Sequence, residues 1–330
     1  MTSEKTCVII AEIGINHEGS AETCARMIEE AAAAGADAIK LQTIDADISY
    51  DPASPSYELF KSSALTREET AAMFDLTRQL GMQPFTTSVD YETIDWVDRL
   101  EPWAHKVSSG LLTTTPILRY LARKGRKLVM STGMATEEDM DEAIAAVREE
   151  GAADITLLHC TSVYPAPPET INLAAIPWLR ERWGVPSGFS DHSTGDEAAP
   201  LAVAFGAVMI EKHFTLDVAR PSFDHHISLD PVGFKAMAGK VRRAEAMIGK
   251  PGRNMTEHEL EVRRWAHRVL VAATDIEAGE QVSPANVTFK RPPKGTTGGL
   301  RPGLLESLTG RRLVRKLAAG EILREQDLQA

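Results

Sequence analysis

Residues 7–42 read CVIIAEIGINHEGSAETCARMIEEAAAAGADAIKLQ. The apolar run at 7–14 has the length of one buried strand. A polar loop follows, then apolar residues at helical spacing from Ala21, stopped by Gly35 as a helix C-terminus often is. A second apolar run, AIKLQT at 38–43, comes next. Strand, helix and strand in this order form the unit from which parallel sheets are built.

The unit recurs along the chain. Further strand candidates are QPFTTSV (83–89), AHKVSSG (104–110), KLVMSTG (127–133), ITLLHCTS (155–162), VPSGFSDH (185–192) and AVMIEKHFTL (207–216). Helical patterns separate them, among them REETAAMFDLTRQLG, TPILRYLARKG and EEDMDEAIAAVREEG, each closed by glycine. Eight strand–helix units in about 250 residues predict an α/β fold, a (β/α)8 barrel. An open doubly wound sheet is the alternative, but no G-x-G-x-x-G follows the first strand.

The barrel pattern is expected over 1–255, with a charged linker and short helix at 256–266. The remainder, 267–330, is β-like with turn signals. It contains an internal echo, DIEAGEQV at 275–282 and KLAAGEIL at 316–323. Each reads as a strand, an Ala-Gly-Glu turn and a strand. Two pseudo-related halves of a small domain follow, too small to be robust alone.

Composition narrows the function. Of 330 residues, 43% are hydrophobic and 25% charged, the balance of a soluble globular protein. The formal charge of −11 disfavours nucleic acid or an anionic membrane as partner. No apolar run approaches the roughly 20 residues of a membrane span. The first residues carry no basic flank or cleavage-like site, so no signal peptide is expected. Three cysteines without C-x-x-C argue against disulfides and fit a cytoplasmic location.

Active sites of such barrels form at the C-terminal strand ends. Here those ends carry Glu12; Lys40 and Gln42; Thr87; Lys106, Ser108 and Ser109; Ser131; His159; Ser190 and His192; Glu211 and His213. Lys40 sits inside an apolar run, where a lysine is rarely buried without a partner. Lys40 and Lys106 therefore suit a carboxylate or phosphate, with Ser109 and Ser131 as hydroxyl ligands. His192 and His213 end neighbouring staves, so their imidazoles can share one divalent ion, with substrate and water completing its shell.

Longer motifs carry a resemblance. AEIGINHEGS, IKLQT, STGM, HCTSVYPAP, GFSDH, EKHFT and RPSFDH together resemble the sialic acid synthase family. FKRPPKGTTGG is similar to that family's C-terminal antifreeze-like (SAF, β-clip) domain. The resemblance implies a transferase that condenses phosphoenolpyruvate with an N-acyl mannosamine-type sugar, giving a sialic-type nonulosonic acid and phosphate. It implies Mn²⁺, with Mg²⁺ or Co²⁺ as alternatives, and a homodimer with a swapped C-terminal domain. It assigns Glu12 as catalytic carboxylate and His192 and His213 as metal ligands. Lys40, Gln42, Lys106, Ser109, Ser131 and Ser190 match its substrate-contacting positions. Tyr164 and Asp224 match sugar-site residues, with Asp224 a catalytic one. Arg291 matches the arginine that holds the N-acyl group in the partner subunit's site. The alternatives are a synthase for a legionaminic-, pseudaminic- or spore-coat-type sugar, one for a phosphorylated sugar, or a catalytically silent carbohydrate-binding protein.

Two positions depart from the family pattern. Leu111 and Leu112 follow the serine–glycine of the fourth strand where an acidic residue is common. Neither can accept a hydrogen bond, which predicts an atypical or less polar sugar. Ser162 stands where asparagine is common.

Overall fold

The structure, a computed structural model, describes residues 7–221 and 223–329. Eight strands close into a barrel in sequence order: β1 (Val8–Gly14), β2 (Ala38–Gln42), β3 (Gln83–Thr87), β4 (Ala104–Val107), β5 (Lys127–Ser131), β6 (Ile155–Cys160), β7 (Ser187–Asp191) and β8 (Met209–His213). All pairings are parallel, and β8 returns to β1 with Glu12 opposite His213.

Period-two alternation sorts the strand residues. On β1, Ile9, Ala11 and Ile13 point outward and pack with Met27 and Ile28 of the first helix, α1 (Ala21–Ala33). Ile10 points inward with Ala38, Phe85, Ala104, Val129, Leu158 and Met209, filling the lumen. Two residues further along each strand, the same inward parity brings Glu12, Lys40, Thr87, Lys106, Ser131, Cys160 and Glu211 to the mouth. An apolar plug beneath a polar layer is thus a consequence of register. Gly188 keeps the plug closed, because a Cβ there would lie 2.6 Å from the Met209 carbonyl and 2.7 Å from Leu158.

Within the barrel unit, two helices lie outside the sequence pattern: α2 (Ala46–Ser49) and α3 (Pro55–Ser63), both between β2 and β3. Asp45 and Ser54 cap them by accepting from the Asp47 and Ser56 amides.

The described chain divides into two compact units, Met1–Gly249 and Lys250–Ala330. In the second, Thr256 and Glu259 form a capping box for the helix Glu257–Ala266. Antiparallel strands β9 (Val269–Ala272) and β10 (Val287–Lys290) follow. The internal echo has a physical form. Gly279 and Gly320 both adopt positive φ, +85° and +86°. In each turn a glutamate, Glu280 or Glu321, accepts from an amide three residues back. Bridges Ile276–Leu317 and Val271–Ile322 join the halves around Leu270, Val282, Leu313 and Leu323. Among the described residues no helix is long and apolar enough to cross a membrane.

Candidate active site

The strand ends enclose a cavity of about 490 Å³. Its floor is a cluster of four buried charges. Lys40 Nζ lies 2.9 Å from Glu211 Oε1 and 3.2 Å from Glu12 Oε2. Lys106 Nζ lies 3.8 Å from the same Glu211 oxygen and donates to Ser131 Oγ at 2.6 Å. Ser190 donates to Glu211 at 3.0 Å, and Gln42 donates to Glu12 at 2.9 Å.

Burial and charge act against each other here. Burial pushes Glu12 up to about 7, although Lys40 pulls it down. Burial also works against ionisation of Glu211, but Lys106 and Lys40 outweigh it and hold that carboxyl near 2. Burial draws Lys106 down to about 8 despite Glu211. Lys40 rises, because two carboxylates more than offset its desolvation. The floor thus holds two ammonium groups beside one firm carboxylate and one carboxyl poised to carry a proton.

Beside the lysines lies a small cradle. Gly133 N donates to Ser109 Oγ at 3.1 Å, and that hydroxyl lies 3.1 Å from Cys160 Sγ. A Cβ at Gly133 would approach Ser162 Oγ, Cys160 Sγ and Ser109 Oγ to 2.2, 2.7 and 2.8 Å. Only glycine leaves this cradle open.

His192 and His213 stand on adjoining staves with ring centroids 5.4 Å apart. His192 Nδ1 donates to the Thr161 carbonyl at 2.8 Å, so its neutral ring presents a lone pair at Nε2. The Tyr164 hydroxyl lies 3.2 Å from that Nε2, its ring stacked on the imidazole. Burial lowers both histidine pKa values, His213 well below the ordinary range, so both are neutral. His213 Nδ1 is buried without a hydrogen-bond partner and lies 3.5 Å from Asp224 Oδ2. Two neutral imidazoles with a free lone pair fit a divalent ion of the zinc or manganese type. No group of three or more His, Cys, Asp and Glu able to hold a metal occurs among the described residues.

Asp224 is carried by the loop after β8, which the first loop clasps. Asn16 Nδ2 donates to the Phe214 carbonyl at 3.0 Å and to Ser228 Oγ at 3.1 Å, and its Oδ1 accepts from Asp224 N at 3.1 Å. Glu18 bridges His225 and Arg220 of the same loop at 3.0 and 2.6 Å.

The structure thus brings together Glu12, Lys40, Gln42, Lys106, Ser109, Ser131, Tyr164, Ser190, His192, His213 and Asp224 around one cavity. Arg291 belongs to the second unit, exposed directly after β10. Glu211 was noted only as a polar strand end, yet it is the anion both lysines share. Its signal was its place two residues before His213, on the same face of β8. One expectation is corrected. Leu111 and Leu112 turn away from the cavity and are buried with Val107, Ile117 and Leu121. They say nothing about the polarity of a substrate.

Comparison with known proteins follows the same two units. A sequence model of the NeuB family matches residues 27–253, and one of the SAF domain matches 267–329. N,N'-diacetyllegionaminic acid synthase of Legionella pneumophila is 34% identical, covering 99% of this chain and 96% of that protein. Pseudaminic acid synthase of Campylobacter jejuni serotype O:2 is 35% identical over 99% of this chain and 98% of its own length. The crystal structure of N-acetylneuraminic acid synthetase from Leptospira borgpetersenii, in complex with citrate, superposes with a TM-score of 0.74 at 29% identity, covering 78% of this chain and 91% of that one. With the family match spanning well over half of its length, and these relatives matched nearly end to end, the chain belongs to the NeuB family.

Proposed function

We propose that the protein is a nonulosonic acid synthase, joining phosphoenolpyruvate to an N-acylated amino sugar with release of phosphate. The observation that carries this reading is the convergence of Lys40 and Lys106, both buried, on the cavity that also holds two adjoining neutral histidines. A trianionic substrate needs the first feature, and polarising a sugar carbonyl would need the second, side by side.

Lys40 and Lys106 take the carboxylate and phosphate of phosphoenolpyruvate, with Ser109, Ser131 and Ser190 as neutral donors. His192 and His213 would hold a divalent ion, Mn²⁺ first, which would supply Lewis-acid polarisation of the sugar's open-chain aldehyde. Tyr164 gives up its contact with His192 Nε2 and turns its hydroxyl to the sugar. Asp224 and Gln42 orient sugar hydroxyls, so that the enol carbon meets the aldehyde as an intramolecular pair. Carbon–carbon bond formation leaves positive charge at C2 of the enol phosphate. Glu12 faces that charge, takes the proton of the water that adds there and passes it to the alkoxide left by the aldehyde oxygen, and is tuned near neutrality for it. Phosphate then leaves with C–O cleavage as the new C2 hydroxyl passes its proton to the departing phosphate and becomes the ketone of the product.

The test is phosphate release from phosphoenolpyruvate, with Mn²⁺, on addition of N-acetylmannosamine or another N-acyl amino sugar. No phosphate from any such sugar rejects the reading.

In the proposed assembly, a cytoplasmic homodimer, Arg291 of one copy holds the N-acyl carbonyl in the cavity of the other. Arg291→Ala is expected to raise the sugar KM about 10- to 100-fold, the worth of one charged hydrogen bond, and to leave the phosphoenolpyruvate KM within about twofold. Equal effects on both constants reject Arg291 as the anchor.

A further inference from the structure

Behind the two histidines, on the outer side of the barrel wall, lies a second pair of charges. At the ends of β7 and β8, Ser190 and His192, and Glu211 and His213, face the cavity. Alternation therefore turns the residues between them, Asp191 and Lys212, to the outside. The two stand opposite each other in the strand register. Two residues earlier on the same outer face, Phe189 and Ile210 join an apolar cluster with Ala199 and Ala202 of the helix Ala198–Ala204. Yet Asp191 and Lys212 are both 0% exposed, with Lys212 Nζ 3.1 Å from Asp191 Oδ2. A buried ion pair adds little net stability over two packed apolar side chains. What this one supplies is fixed geometry. Asp191 Oδ1 accepts from Ser193 N at 2.8 Å and from Ser193 Oγ at 2.6 Å, and Lys212 Nζ donates to the Ser193 carbonyl. The residues on both sides of His192 are thus tied to the residue just before His213.

We propose that Asp191 and Lys212 are positioning residues: a charged strap behind the barrel wall that sets the spacing and aim of the His192 and His213 rings for one shared divalent ion. The inference rests on the reading of these histidines as the ion's protein ligands. Among the described residues no third His, Cys, Asp or Glu completes a ligand cluster, so affinity depends on how well two lone pairs converge. Neither Asp191 nor Lys212 lines the cavity, so the strap acts through the backbone that carries the rings. Groups that orient ligands from outside the coordination shell contribute about 10- to 100-fold to metal affinity.

Mn²⁺ titration of the metal-stripped, full-length protein tests this, with free ion followed by its resonance. The double variant Asp191→Asn, Lys212→Met removes both charges together, so no unpaired charge stays buried and the fold should persist. Its Mn²⁺ Kd is expected to rise about tenfold or more. Calorimetric affinity for phosphoenolpyruvate should fall far less, since Lys40 and Lys106 stand on β2 and β4. A general loosening of the barrel would instead weaken both ligands alike, and that result overturns the inference. Ser193→Ala is the milder variant. It removes one hydrogen bond of the strap and no charge, and should weaken Mn²⁺ binding about threefold. An unchanged Mn²⁺ Kd in the folded double variant overturns the inference alone; should that variant not fold, an unchanged Kd in Ser193→Ala does so. A parent protein that binds no Mn²⁺ overturns the metal reading, and the inference with it.

Discussion

His213→Ala is expected to lower phosphate release by about three orders of magnitude or more, the scale of a lost Lewis acid, while the fold melts within a few degrees of the parent. The imidazole is buried, yet its Nδ1 makes no hydrogen bond. Its removal strands no partner and opens space next to a cavity that already exists. What it does remove is one of two protein ligands for the proposed ion. Titrating Mn²⁺ and following the free-ion resonance should show a large loss of affinity in the variant. Full activity in His213→Ala, or in metal-stripped parent protein, rejects the metal-based scheme.

Lys40→Met should be as damaging, but for the opposite reason. Here the fold itself loses, by about 3 kcal/mol at pH 8, the usual cost of breaking a buried ion pair from one side. Glu12 and Glu211 stay behind, both fully enclosed, with only Lys106 near. Glu211 keeps Lys106 and Ser190, but Glu12, pushed up to about 7 even with Lys40 present, then titrates still further above its ordinary value of 4.5. Between that value and the folded one the native protein binds more protons than the unfolded chain, so stability falls as pH rises. The deficit in melting temperature should therefore widen as pH rises past about 7, where Glu12 ionises in the parent but stays protonated in the variant. Melting curves of parent and variant at pH 5 and pH 8 check this; a gap that does not change with pH rejects it. Turnover is lost at both values, since the carboxylate of phosphoenolpyruvate has lost its counter-ion.

Much of the barrel was legible because each strand is a short apolar run closed by polar residues, and each main helix has a clear 3.6-residue stripe. The polar layer was legible for the same reason: Lys40 and Lys106 interrupt apolar runs, and a register of two exposes them to the mouth. α3 escaped because PSYELFKSS has few apolar residues and no sustained stripe. Its Leu59 and Phe60 face a cavity, not a core. Glu211 escaped because a carboxylate in EKH reads as ordinary strand-end polarity until its parity with His213 is counted. Leu111 is close to Ser109 in sequence but not close to the cavity. A 3-10 turn at Ser109–Leu111 rotates the leucine into the core instead. Arg291 shows the limit from the other side, since a motif in the second unit identifies a residue without saying where it acts.

The clasp between the first and last loops bears on how the chain is made. Asn16 emerges from the ribosome early, and its partners Phe214 and Ser228 follow 198 and 212 residues later. The anion that both Lys40 and Lys106 require arrives on the same late stave, at Glu211. A nascent chain that has not yet delivered residues 209–213 carries two lysines it cannot enclose and a sheet it cannot close. The earlier staves therefore keep an open edge until residues 209–213 are made, and the barrel closes only with its last stave.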